Sequence, residues 1–212
     1  MKGLIIKDFI TLGKKIRPVN RIIILIIMVA SLIFLRSIGA FAISIMLPIS
    51  VASFPISLLS CDAQCKWDKY AIALPVKKET IVGSRYIFCG LSLLCCSLFS
   101  VLLSIVVYLT LHEYSLGLHL GIVLAGLLIA MLYTIFILPA NYLFGINGGS
   151  VVMLIFMLFV ATSTFILQKQ KLDFSLSAFL QLGTALIIAV VVLALIAISF
   201  AVSVKTYKIQ HS

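Results

Sequence analysis

The groups in this chain best able to act as acid, base, nucleophile or metal ligand are few, and their spacing supports none of those roles. Six Asp and Glu and three His occur in 212 residues. A zinc hydrolase or a Glu/His-based intramembrane protease needs His and Glu a helical turn apart, as in HExxH, so that all point at one ion or one water. His112, His119, His211, Glu79 and Glu113 make no such set. The five cysteines, Cys61, Cys65, Cys89, Cys95 and Cys96, contain no CxxC pair and no histidine at ligand spacing, so neither a disulfide framework nor a metal site is expected. Cys61 and Cys65, at i and i+4, read as plain thiols, with acylation the alternative. A P-loop would read GxxxxGK[ST]; Gly13-Lys14 is followed by Lys15 and lacks the upstream glycine. The expectation is a chain that holds no cofactor or metal, has no catalytic residue, and cannot hydrolyse ATP by itself.

The informative chemistry lies in Asp62–Arg85, the longest polar stretch in the middle of the chain, with five Lys/Arg and three acids. Asp62 can cap a short helix bearing Trp67 and Tyr70, which Ala73-Leu74-Pro75 then stops. Pro75 starts a second helix, with Lys77, Lys78 and Glu79 in its first turn and Ile81, Val82 and Tyr86 leading onward. A short amphipathic helix with an exposed aromatic can seat in a groove of a partner. The alternative is an interfacial helix whose Trp67 and Tyr70 sit in the aromatic belt of a membrane.

The elements around this loop are apolar. Hydrophobic residues make up 63% of the chain and charged ones 10%, against ~45–50% and ~25% in soluble domains. A soluble globular protein is excluded. The net charge of +10 sits between apolar blocks, so it reads as an orientation signal and contact with anionic lipid, not as a nucleic-acid surface.

Residues 1–21 are too charged to insert and carry no cleavable h-region. Ile5, Phe9, Leu12 and Ile16 form one helical stripe with Lys7 and Lys14 opposite, which predicts an amphipathic interfacial helix. Six transmembrane spans follow in this reading, at about 22–36, 38–60, 86–111, 118–144, 151–167 and 178–204, so that 1–212 form a single all-α transmembrane domain with a cytoplasmic loop at 61–85. The first is short, with fourteen uncharged residues between Arg21 and Arg36 covering only ~21 Å at 1.5 Å per residue. Pro48 and Pro55 are expected to kink the second, and Gly145–Ser150 to form the turn between the fourth and fifth. Thirteen of the sixteen Lys and Arg fall in the termini and the second and fourth loops, which places both termini in the cytoplasm.

Six spans, a basic N-terminal helix and the loop pattern W-D-K-Y-x-x-x-L-P-V-K-K-x-x-I-V-x-S-R-Y, Trp67 to Tyr86, resemble the type-2 ABC exporter membrane subunits. The resemblance is to the small bacterial group that includes the phenol-soluble-modulin and antimicrobial-peptide exporters. It implies a subunit in a bacterial cell membrane whose loop contacts a separately encoded P-loop ATPase that carries ATP and Mg. The coupling residues would be Asp62, Lys66, Trp67, Asp68, Lys69 and Tyr70, with Pro75, Lys77 and Lys78 starting the next helix. Two membrane subunits, identical or related, and two ATPases would make the working unit. Gln168–Ser177 is short for the outer re-entrant segment of larger members.

No ionisable group maps to bilayer depth, as an ion-coupled carrier would require. A path without buried charge suits amphipathic or hydrophobic cargo such as antimicrobial or surfactant peptides, with Phe41, Phe54, Met153, Phe156, Met157 and Phe159 as candidate lining residues. The competing reading of those six is ordinary helix or lipid contact. The competing function is a membrane immunity or sensor protein that transports nothing.

Overall fold

The computed structural model describes residues 2–15, 18–67, 70, 76–170 and 182–210. Seven helices are described: α1 (Lys2–Lys15), α2 (Pro18–Ala52), α3 (Phe54–Gln64), α4 (Lys78–Leu111), α5 (Leu116–Phe144), α6 (Ile146–Gln170) and α7 (Leu182–Gln210). No strand occurs among the described residues. Four stretches are long and apolar enough to cross a membrane, Ile22–Gln64, Lys78–Leu111, Leu116–Phe144 and Ile188–Ile209, and Asn147–Leu158 is a shorter apolar helix.

α2 is two limbs. At Arg36 the backbone leaves the helical region (φ 49°, ψ −126°), and a Cβ on Gly39 would collide with the Ser31 carbonyl oxygen. Residues eight apart in one straight helix are ~12 Å apart along its axis, so the chain must double back. The first limb lies outside, with Ile22–Ile27 and Ile33–Leu35 exposed, while Ser37, Ala40, Ile43 and Ser44 of the second are buried. The backbone break at Arg36 lies where the sequence reading ends its first span. Pro48 sits within the second limb without ending it, and the break comes instead at Ser53, with Pro55 in the first turn of α3.

The same corner recurs between α5 and α6. Gly145 has φ 67° and ψ −153°, and a Cβ on Gly148 would meet the Ala140 carbonyl and the Phe144 Cβ, as Gly39 meets Ser31 and Leu35. Each corner is one residue with positive φ, followed three positions later by a glycine lying on the residue five positions before the break. The expected six-residue turn at Gly145–Ser150 is thus a single-residue break, and Asn147–Ser150 are already helical. The α4–α5 connection is a short polar turn, with His112 left-handed (φ 51°) as the C-cap and Ser115 accepting from the Leu118 amide at 3.4 Å.

α5 is the central helix, packed against α2, α3, α4, α6 and α7. Helix faces are polarised as a lipid environment requires. On α4 the buried positions include Cys96, Ser100 and Ser104, while Leu94, Leu98, Leu102 and Leu109 are exposed. Small and weakly polar residues inside with leucines outside reverse the soluble pattern, because close backbone approach rather than water exclusion drives helix association in lipid. Around 51 Å long at 1.5 Å per residue, α4 exceeds the ~30 Å hydrocarbon layer, so part of it projects beyond.

Candidate functional site

At one end of the bundle four charged side chains meet inside the protein. Asp8 is 1% exposed, and Asp62 and Arg85 are 7% exposed. Arg85, near the head of α4, reaches two acids on different elements: its Nε lies 3.3 Å from Oδ2 of Asp8 on α1, and its Nη2 donates to Oδ2 of Asp62 in the last turn of α3. Lys7 Nζ closes the ring, 3.0 Å from Asp62 Oδ1 and 3.4 Å from Asp8 Oδ1. Lys7 also stands 4.0 Å over the Trp67 ring. Two carboxylates and two cations balance, which is the condition for charges to remain inside.

Apolar contacts hold these charges in place. Leu12 is buried against Leu58, Phe88, Cys89 and Leu138, with Ile5, Phe54 and Tyr86 packed around them, and Phe9 meets Phe88 edge-on at 4.8 Å. Lys15 Nζ donates to the Ser57 carbonyl at 3.0 Å. The α1 stripe therefore faces protein through Ile5 and Leu12, and Ile6 and Ile10 point away from it, 56% and 54% exposed. This corrects the expected faces: Lys7 turns inward to the acids, while Lys14 is exposed.

A second cluster binds the loop to the far helices. Ile81, Val82, Tyr142 and Tyr207 are buried together, with Trp67, Val76 and Val204 packed on them. Tyr86 Oη shares hydrogen bonds with Ser199 and Ser203 at 2.7 and 2.8 Å. Lys208 Nζ donates to Glu79 at 2.6 Å. Burial holds the Asp8 carboxyl above its ordinary range even though Arg85 and Lys7 pull it down. The hydrogen bond and charge of Lys208 hold exposed Glu79 below its own.

Of the residues expected to contact a partner, Asp62 is turned inward and spent on Arg85 and Lys7, and it lies inside α3 instead of capping a new helix. Trp67 is half-buried, Lys66 is exposed at positive φ, and Tyr70 is 66% exposed. Lys77 is the exposed N-cap of α4 and Lys78 its half-buried first residue. Asp68, Lys69 and Pro75 lie outside the described residues. Asp8, Lys7 and Arg85 were missed as a set. A signal existed, because Asp8 follows Ile5 by three and precedes Leu12 by four, which puts a carboxylate in the middle of the apolar stripe.

The candidate path residues do not share one surface. Phe41 packs on Tyr114 and His119 at the opposite end, at 5.4 and 4.7 Å. Phe54 belongs to the Leu12 cluster and Phe156 packs on Tyr133 at 5.2 Å. Met153 and Met157 are exposed, and the side chain of Phe159 lies outside those described.

A comparison with protein families matches residues 3–208 to the family described as ABC-2 family transporter protein. No curated protein and no solved structure matches.

Proposed function

The chain belongs to the ABC-2 transporter family, and from that premise we propose that it forms half of the translocation path of an ATP-driven exporter for amphipathic peptides. Members of this family are membrane subunits of ABC transporters. In the proposed arrangement six spans cross a bacterial cell membrane: the two limbs of α2, the second continued by α3, then α4, α5, α6 and α7. The end bearing Asp8, Asp62 and Arg85 faces the cytoplasm, following the Lys and Arg excess there. A P-loop ATPase carrying ATP and Mg docks on the loop between α3 and α4, and a second identical or related membrane subunit completes the path. The cargo class follows from the apolar interior and the resemblance to peptide exporters.

One observation carries this reading. Arg85 ties α1 and the last turn of α3 to the head of α4 through two buried contacts, so the loop between α3 and α4 is anchored at both ends in one rigid joint. A push on an exposed residue of that loop, such as Tyr70, would reach α1, α3 and α4 together instead of being lost in a floppy connection. Affinity purification of the tagged chain in mild detergent tests it. A stoichiometric P-loop ATPase whose turnover changes with added amphipathic peptide supports the exporter. Recovery of the chain alone after gentle crosslinking would overturn it in favour of an immunity or sensor protein.

A further inference from the structure

Outside the ion cluster, the described side chains that are sealed from solvent without a hydrogen-bond partner fall along one line of the molecule. They are His119 Nδ1, Ser44 Oγ, Tyr133 Oη and both amide atoms of Asn141, on residues 1–2% exposed. Three lie on α5, and at 100° per residue they fall within about 80° of one another. The fourth stands opposite: the Ser44 carbonyl is 2.7 Å from where a Cβ of Gly126 would be, midway along α5.

The facing wall is one continuous piece of chain. Phe41 meets His119, Ser44 and Ile45 meet Gly126, Val51 and Ala52 pack in the Tyr133 cluster, and Ile56 and Asn141 flank Gly149. The line is therefore the seam between α5 and the strip 41–56, which runs parallel to it. From His119 to Asn141 it runs ~33 Å at 1.5 Å per residue, about the thickness of the hydrocarbon layer.

Poor packing in general does not account for it. On its other faces α5 pairs its polar groups: Thr134 donates to the Ala130 carbonyl and Ser199 donates to the Ile135 carbonyl, both at 2.7 Å. An unpaired donor or acceptor inside a lipid-embedded bundle is expensive and is kept where the site meets polar matter during function. The seam is also lightly interlocked, with Gly126, Ala130 and Ala52 along it.

We propose that this seam is a binding track for small neutral hydrogen-bonding groups, opening along His119, Ser44, Tyr133 and Asn141 when the subunit works. Neither 37–56 nor 119–141 contains Asp, Glu, Lys or Arg, so a bare ion would find no counter-charge. The groups it takes are water or the amides and hydroxyls of an amphipathic cargo. The cargo alternative rests on the function proposed above; the water alternative does not.

Radiolytic hydroxyl labelling of the full chain in lipid nanodiscs, with whatever ATPase co-purifies and with and without ATP, reads water at buried side chains. Corrected for intrinsic reactivity, Tyr133 is expected to label several-fold faster than Phe88, which is as well buried but sits in the apolar Leu12 cluster. Equal rates in every condition overturn the proposal. An excess of a synthetic Leu-Lys amphipathic helix separates the sources, since protection of Tyr133 means that peptide groups enter and unchanged labelling means that water does. In a Tyr133→Phe, Asn141→Leu variant that melts no lower than the parent, labelling of His119 should fall to the Phe88 level. Persistence of His119 labelling there would break the claim of one continuous track.

Discussion

The Nε of Arg85 lies 3.3 Å from Oδ2 of Asp8, and both side chains are almost entirely sealed from solvent. This contact fixes the N-terminal helix to the head of α4, and Asp62 takes the other face of the same guanidinium. Because Arg85 reaches both carboxylates from inside the protein, its loss would remove the buried counter-charge of each.

Arg85→Gln should be the most damaging single change in the joint. It leaves Asp8 and Asp62 facing each other with only Lys7 between them, at a cost of about 3–5 kcal/mol. Arg85→Lys keeps the charge but loses the fork that reaches two carboxylates, so it should fall between Gln and the parent. Melting of the purified variants in detergent checks the order. A Gln variant as stable as the parent would show that the joint does not hold α1.

Asp8 sets a pH dependence of defined sign. Its carboxyl is held above the ordinary value by burial, so the stability linked to its raised pKa is fully present below the unfolded value and is lost as pH rises through the folded one. Docking of α1 should therefore tighten on acidification. Amide exchange in residues 5–12 should slow as pH falls, after correction for intrinsic rates, and Asp8→Asn should flatten the change.

The joint was half legible in the sequence. The Asp62–Arg85 stretch stood out by its polarity, and the helical ends flanking it were readable from Pro, Lys and Glu positions. Its inner half was hidden because Asp8 and Arg85 look like ordinary surface charges until the α1 stripe is known to face protein. Stripe periodicity alone cannot tell a lipid face from a protein face. Arg36, the one charge between two apolar runs, is the residue at which the backbone turns. Gly145 was recognised as a turn, but its sharpness, set by Gly148 fitting on the Ala140 carbonyl, depends on a contact between two helices and leaves no mark in a local pattern.

Two residues of the α2 corner, Arg36 and Gly39, predict opposite outcomes on substitution. Arg36 adopts φ 49°, ψ −126°, which suits glycine and strains a residue with a Cβ by about 1–3 kcal/mol. Its ion pair with Glu113, at 3.6 Å with Arg36 71% exposed, is weak compensation. Arg36→Gly should raise the melting temperature, whereas Gly39→Ala, driven into the Ser31 carbonyl, should lower it sharply. A destabilised Arg36→Gly would mean that the Glu113 ion pair outweighs the strain.

Glu79 should respond to pH with the sign opposite to Asp8. Lys208 holds its carboxyl low, so the tether between α4 and α7 is present above the unfolded pKa and is lost as pH falls through the folded one. Both side chains are half-exposed, so the effect should be small and suppressed by salt. Exchange in residues 204–209 should accelerate on strong acidification at low ionic strength. Glu79→Gln should show the faster exchange at neutral pH.

Trp67 and Tyr70 allow anchoring and docking to be separated within one loop. Trp67 is half-buried among Ile81, Val82 and Tyr142 and lies under Lys7 at 4.0 Å, so Trp67→Ala removes packing together with a cation–π contact worth ~0.5–2 kcal/mol. Tyr70 is 66% exposed, so Tyr70→Ala should leave stability unchanged. If an ATPase seats on this loop, Tyr70→Ala should weaken its co-purification without shifting the melting temperature, while Trp67→Ala should lower both. Unaltered ATPase recovery with Tyr70→Ala would move the docking surface to other exposed residues described in the loop, such as Lys66 and Lys77. Because the stability readout needs no partner, a normal melting temperature for Trp67→Ala would independently refute its assignment as an anchor.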